Sequence, residues 1–347
     1  MATSRRGGSR SYGNAKRDSH RCQDPRREQI RQQLSIISEE TKDLIPLVLD
    51  RTQECSDGFL IHGPGVPRLK AENCPGFTGV RVRVMEQDTF DAAIHLTNKN
   101  DQNAISNTTA TSANDNTTAE PDYGHTCILN MASAKRPGGG WLSGAAAQEE
   151  SLCRRSTLIE TLKEGFYRIP KCGAIYSPSV VVFRSSRALG HKLMDLDDPD
   201  SLPIVSAISV AALVRPPVKT VRVITGSNND GGEAATPSAS SKQVYERASD
   251  RETMKDKMRL ILRVSASKGH RRIVLGAFGC GAFGNPREDA ADCWAEVFGE
   301  AEFQGGWWKD VIFAILDPPV RPGQNQQGCG NAGAYIGRLD GLPVSPQ

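Results

Sequence analysis

"HTCILNMASAKRPGGGWLSGAAAQEESLCRRSTLIETLKEGF", residues 125–166, decides how the chain is read. Residues 125–133 form a short apolar run with the character of a buried strand. The glycine triplet Gly138-Gly139-Gly140 follows, and small residues lead from it to Gln148-Glu149-Glu150. Residues 149–166 then predict a helix. A strand running into a glycine-rich loop and a helix is the repeating unit of an α/β sheet. Ligands of open α/β sheets bind beyond the carboxyl ends of the strands, which is where this loop falls.

The same alternation extends both ways along the chain. Residues 27–56 are rich in helix formers with apolar residues at helical spacing. Residues 81–87 alternate like a strand, and 88–98 predict a helix capped by Asp88 or Thr89. Downstream, 174–185 and 202–213 are strand-like, and 251–269 is an amphipathic helix closed by Gly269. Residues 271–278 predict a strand leading into a second glycine-rich loop, 287–303 a helix and 309–317 a last buried strand. The fold class expected from this order is α/β, a sandwich with helices on both faces of a mostly parallel or mixed sheet. One domain spanning 27–317 is expected, interrupted by polar, low-complexity insertions at 99–122 and 226–241. A disordered basic tail (1–26) and a Pro-, Gly- and Gln-rich tail (318–347) are expected to flank it.

Hydrophobic residues make up 38% of the chain and charged residues 24%, enough for a sizeable core. A net charge of +3 argues against a broad nucleic-acid footprint. The charge is uneven, however: residues 1–31 hold nine Arg or Lys against three acids. That pattern is open to a plain disordered arm or to one that contacts polyanions or directs the chain to the nucleus. No apolar run reaches the roughly 18–20 residues of a membrane span, and the opening residues lack the apolar core of a secretory signal. Nine scattered cysteines form no C-x-x-C pair. They suit reduced thiols in a cytoplasmic or nuclear protein better than a disulfide frame or a zinc site. No metal, no cofactor, no membrane and no sequence-specific nucleic-acid partner is expected, and a monomer is.

The residues that could carry chemistry lie in the two loops. Without a Cβ, Gly138, Gly139 and Gly140 let backbone N–H groups approach a diphosphate. A conformationally demanding turn is the plainer explanation of the same triplet. Gly279-x-Gly281-x-x-Gly284 matches a dinucleotide fingerprint, but it precedes the last helix, not the first, and no ribose-binding acid follows in a second strand. Gly139 and Gly144 have Walker A separation, yet Ala145 and Ala146 stand where Lys and Ser/Thr are required, so a P-loop is rejected. Glu149 and Glu150 open a helix, where the helix dipole favours acids on ordinary grounds. Neighbours on a helix diverge by roughly 100°. The pair therefore cannot flank one bond from opposite sides, as in a two-carboxylate glycosidase. If both act, one holds the substrate and the other moves the proton.

"LNMASAKRPGGGWLSGAAAQEESLCR" (129–154) resembles the signature of the microbial poly(ADP-ribose) glycohydrolases: a glycine triplet, a short spacer (seven residues here) and Gln-Glu-Glu. The resemblance continues through 85–93, 174–184, 275–286 and 311–317, and covers 30–317 apart from the two insertions. It implies a macrodomain fold, a three-layer α/β/α sandwich with a mixed sheet and an N-terminal helical extension. It also implies an ADP-ribose site on the loops. By position, Glu150 is then the catalytic acid/base and Glu149 hydrogen-bonds the distal ribose, with Gln148 beside them. Gly138–Gly140 and the loop of Gly279, Gly281, Ala282 and Gly284 would close over the diphosphate. Phe283 would orient the distal ribose, Asn130 and Ser133 would touch it, and Asp88 would hold the adenine amino group. The chain departs from the family pattern at Leu158-Ile159, where Leu-Tyr is usual.

That resemblance implies a hydrolase of ribose–ribose O-glycosidic bonds, acting on poly(ADP-ribose) or ADP-ribosylated proteins and releasing ADP-ribose. Such a bond breaks through an oxocarbenium-like state, and the leaving hydroxyl needs a proton. One glutamic acid can supply it and then, as carboxylate, activate water. Two rivals stay open: a macrodomain that binds ADP-ribose without cleaving it, and a hydrolase of another ADP-ribosyl linkage. A dehydrogenase would use Gly279–Gly284 and leave Gln148–Glu150 idle.

Overall fold

The computed structural model describes residues 25–97, 124–225, 238–317 and 330–346. The insertion expected at 99–122, residues 226–237 of the second insertion and residues 1–24 of the basic arm lie outside them. In chain order the elements are α1 (Pro25–Thr52), β1 (Phe59–His62), β2 (Val82–Met85), α2 (89–97), β3 (Cys127–Met131), α3 (Gln148–Arg155), α4 (Leu158–Thr161), β4 (Gly173–Val181), β5 (Ile204–Val210), β6 (Val218–Thr225), β7 (Ser238–Tyr245), α5 (Ala248–Ser267), β8 (Arg272–Leu275), α6 (Arg287–Phe298), β9 (Asp310–Ala314) and α7 (Asn331–Leu339). Among the described residues, no helix is long and apolar enough to cross a membrane.

Seven strands form one mixed sheet in the order β1-β4-β5-β3-β8-β9-β2. β5, β3, β8, β9 and β2 run parallel, β4 opposes β5, and β1 opposes β4. β3 is central, and Cys127 through Asn130 are all buried, because both faces of a parallel sheet are covered. Successive side chains point to opposite layers. Leu129 joins Met258 and Leu262 of α5 and Trp294 and Phe298 of α6. Ile128 joins Phe90 of α2, Leu152 of α3 and Leu158 of α4. These two helical layers make the expected three-layer sandwich. α1 is the helical extension, seated through Ile45 and Val48 on Phe183 and Leu202.

Three local expectations are corrected. Residues 149–166 are not one helix. Ser156 bridges to Val182, the Thr157 N–H donates to the Val181 carbonyl (3.0 Å), and the Val181 N–H donates to Thr157 Oγ1 (3.0 Å). Hydrogen bonds to β4 thus take the backbone that would have continued α3. Residues 238–241, read as part of an insertion, open β7, which pairs with β6 over eight antiparallel positions; a backbone ladder needs no strong side-chain signal. Residues 330–346, read as tail, contain α7. Ala332, Tyr335 and Leu339 are buried there, and the Asp317 carboxylate caps the first N–H groups at 3.0 and 2.8 Å. The segment after α7 covers the edge strand: Val82 N–H donates to Leu342 O and Gly341 N–H to Val82 O, both at 2.9 Å.

Candidate active site

α3 starts where β3 ends, and its first three side chains tie the two together. Gln148 Oε1 accepts the Met131 N–H (2.8 Å), while Nε2 donates to Leu129 O (2.7 Å) and to Thr89 Oγ1 (3.2 Å). The amide thus spans the backbone of β3 and the start of α2. Glu149 is buried, with Oε2 accepting the Ser133 N–H at 2.7 Å. Glu150 is buried too, and its Oε1 accepts the Gly140 N–H at 3.0 Å. Burial, reinforced by the neighbouring Glu150 carboxyl, pushes the Glu149 carboxyl up to about 8 against the pull of the Ser133 hydrogen bond.

The glycine triplet explains how two side chains that diverge on a helix come together. Gly138 and Gly139 have φ of +62° and +55°, in the left-handed region. A Cβ on Gly139 would lie 2.6 Å from Glu150 Oε1 and 3.0 Å from Glu149 Oε2. The loop backbone therefore lies directly against both carboxyls. The sequence reading aimed the triplet's amides at a diphosphate. In the structure the Gly140 amide holds Glu150, since a buried carboxylate takes the nearest N–H donors.

The loop is anchored from behind. Arg154, on the same face of α3 as Glu150 one turn on, donates to Trp141 O (3.0 Å), Ala145 O, Leu34 O (3.1 Å) and Ser38 Oγ (2.9 Å). Ser38 Oγ also donates to Trp141 O (2.7 Å). The N-terminal helix thus reaches the back of the glycine loop through a buried guanidinium. Sequence reasoning missed Arg154; its place four residues after Glu150 was the available signal.

The second loop leaves β8, the neighbour of β3 in the sheet, and Gly276 sits beside Met131, where a Cβ would meet its methyl carbon at 3.3 Å. Gly279 has φ +78°, and a Cβ there would strike Asn285 Nδ2 at 2.5 Å and Ala212 at 2.6 Å. Asn285 closes the loop by donating to Gly279 O (3.0 Å) and Leu213 O (2.7 Å). Gly281, Ala282 and Gly284 form an exposed crest, and Phe283 is half-buried against the core.

Of the other sequence candidates, Asn130 donates through Nδ2 to Ser209 Oγ (2.9 Å). Ser133 contributes its backbone. Asp88 caps α2, accepting the Phe90 N–H at 2.9 Å, and pairs with Arg155 through the same oxygen. This gives Asp88 a structural task whether or not it also meets a ligand. Ten buried side-chain polar atoms lack a protein partner among the described residues; Asn130 Oδ1, Glu149 Oε1, Glu150 Oε2 and the Tyr167 hydroxyl are among them, and the Asn130, Glu150 and Tyr167 side chains all interact with Glu149. Such atoms are rare in folded proteins, and each calls for a partner from outside the protein, water or ligand. Two clefts lie elsewhere. One of about 630 Å³ is walled by charges that pair among themselves, such as Arg259–Glu300 and Arg263–Glu302. One of about 490 Å³ holds Tyr176 and His270, which bond each other.

The family described as the catalytic domain of microbial-type PARG, poly(ADP-ribose) glycohydrolase, matches residues 10–185. Comparison with curated proteins finds no match. Among solved structures, a variant of the poly(ADP-ribose) glycohydrolase of Thermomonospora curvata is 24% identical, with a TM-score of 0.59 and coverage of 88% of this chain and 98% of that one. The same bacterium's enzyme bound to the inhibitor ADP-HPD is 23% identical (TM-score 0.58, 88% and 98%). The Deinococcus radiodurans enzyme in complex with ADP-ribose is 24% identical (TM-score 0.54, 84% and 96%). With its glycine loop set against two buried glutamates in a sheet of this topology, the chain belongs to the microbial-type poly(ADP-ribose) glycohydrolases, a family of glycosidases.

Proposed function

We propose that this glycosidase hydrolyses the ribose–ribose O-glycosidic bond of poly(ADP-ribose), with Glu150 as its single acid/base. One observation carries the assignment: both glutamates are buried, each has one oxygen held by loop or strand N–H groups, and each has the other unpaired. Fixed on one side and free on the other, such carboxyls are preorganised for a ligand.

In the first step Glu150 donates its proton to the departing ribose oxygen as the glycosidic C–O bond breaks and positive charge spreads over the anomeric carbon and ring oxygen. The resulting carboxylate then takes a proton from water, whose oxygen attacks the anomeric carbon. Glu150 ends protonated, and the balance is one water consumed per bond. Glu149 donates to or accepts from hydroxyls of the same ribose, with Asn130 beside it. The exposed 281–284 crest, with Phe283, closes over the diphosphate and distal ribose. The role of the triplet is to bring the two carboxyls together. Free thiols at seven described cysteines fit a cytoplasmic setting.

Purified protein incubated with poly(ADP-ribosyl)ated protein should release free ADP-ribose, resolved by chromatography. Glu150→Gln should abolish release while ADP-ribose still binds in calorimetry. Binding by the wild type without release would make the protein a reader, or direct it to another ADP-ribosyl bond. Normal release by Glu150→Gln would refute the assigned acid/base.

A further inference from the structure

We propose that Tyr167 is a further substrate-contacting residue, its hydroxyl donating a hydrogen bond to the ribose held by Glu149. The proposal deepens the reading above and rests on it. Tyr167 follows a short turn at Glu164–Phe166. The Ile169 N–H donates to Ala134 O at 3.1 Å, which lays this segment beside the end of β3, next to Ser133, whose own N–H holds Glu149. The ring packs on the apolar cluster that includes Leu152 and Cys153, the inward face of α3 beneath the glutamates. Its hydroxyl is buried and has no partner.

Two physical points separate a ligand contact from packing. A buried hydroxyl with no hydrogen bond is less favourable than no hydroxyl, so phenylalanine would serve packing better. The neighbouring unpaired atoms, Asn130 Oδ1, Glu149 Oε1 and Glu150 Oε2, are all carboxyl or carbonyl oxygens. Ribose hydroxyls also have lone pairs to satisfy, and the phenol is a donor whose proton the reaction does not use. Burial raises the phenol above its usual range. It stays protonated and acts as a donor, leaving proton transfer to Glu150.

The test is Tyr167→Phe, compared with wild type in thermal unfolding, in calorimetry with ADP-ribose and with ADP, and in ADP-ribose release from polymer. ADP keeps the adenosine and diphosphate but lacks the distal ribose. The expected result is a melting midpoint equal to or above wild type and ADP-ribose affinity reduced roughly three- to tenfold, the worth of one hydrogen bond. ADP affinity should be unchanged and kcat/KM lower. Unchanged ADP-ribose affinity would overturn the proposal. So would a lowered midpoint with equal losses for both ligands, which marks a structural role. If wild type binds ADP-ribose but releases none, the hydrolase reading fails, while the ADP-ribose/ADP contrast still decides Tyr167. If wild type binds neither, both readings fall.

Discussion

Loop 138–144, after β3, and loop 276–285, after β8, leave neighbouring parallel strands at the same end of the sheet. In the first, glycine is demanded by what lies behind the backbone: two carboxyls within 3.0 Å of a Cβ on Gly139, and a positive φ. In the second, the demand is split. Gly279 is hemmed in by Asn285 and Ala212, whereas a Cβ on Gly281 would meet nothing within 4 Å among the described residues beyond its chain neighbours. The first loop is thus internal machinery, clamped by Arg154 and α1. The second is a tied base with an open crest. Similar glycine motifs therefore divide between holding protein groups and leaving an open surface.

The largest expected effect comes from Gly139→Ala, which pushes a methyl into both glutamates. It should lower ADP-ribose release by at least about 100-fold and stability by about 1–3 kcal/mol, read by turnover and denaturant unfolding. A variant with near-normal activity would show that the loop does not set the glutamates.

A smaller, pH-dependent effect is expected from Glu149. Its carboxyl ionises near 4.5 when free and near 8 in the folded protein. Between those values the folded protein holds a proton that the unfolded chain has released, so stability falls as pH rises through the window. The contribution is full below 4.5 and lost above about 8. Glu149→Gln cannot ionise and should flatten that decline in a series of melts across the window. The relative gain at high pH should reach at most a few kcal/mol, since each tenfold change in proton affinity is worth about 1.4 kcal/mol. Parallel wild-type and variant profiles would mean that the burial of Glu149 is relieved in solution.

The smallest stability effect belongs to the open crest. Gly281→Ala should change unfolding by less than about 0.5 kcal/mol yet weaken ADP-ribose binding several-fold in calorimetry, because the added methyl meets ligand and not protein. If binding is untouched, the crest does not close on the diphosphate, and the contrast between the loops loses its second half.

Much of this was legible along the chain. The central strand, the loop and the paired glutamates could be read because β3 is apolar on both faces and the glycine and acid runs are local. The helical layers were legible from spacing. α7 was not, because its three buried positions are diluted among Gly and Pro-rich neighbours and its cap, Asp317, lies 14 residues upstream. The break after Arg155 was not legible either, since Ser156 and Thr157 turn to β4, a partner that sequence spacing cannot name.

By itself the sequence determined that a strand, a flexible turn and two adjacent acids occur in that order, because strand character, glycine freedom and helix formation are local properties of the residues. Only the tertiary structure decided that the Gly140 amide grips Glu150, that Arg154 ties their loop to α1, and that the Tyr167 hydroxyl is buried without a partner. Those contacts join residues 10 to 120 positions apart. Their partners are chosen by burial, which makes every polar group seek a hydrogen bond wherever the fold brings one within reach.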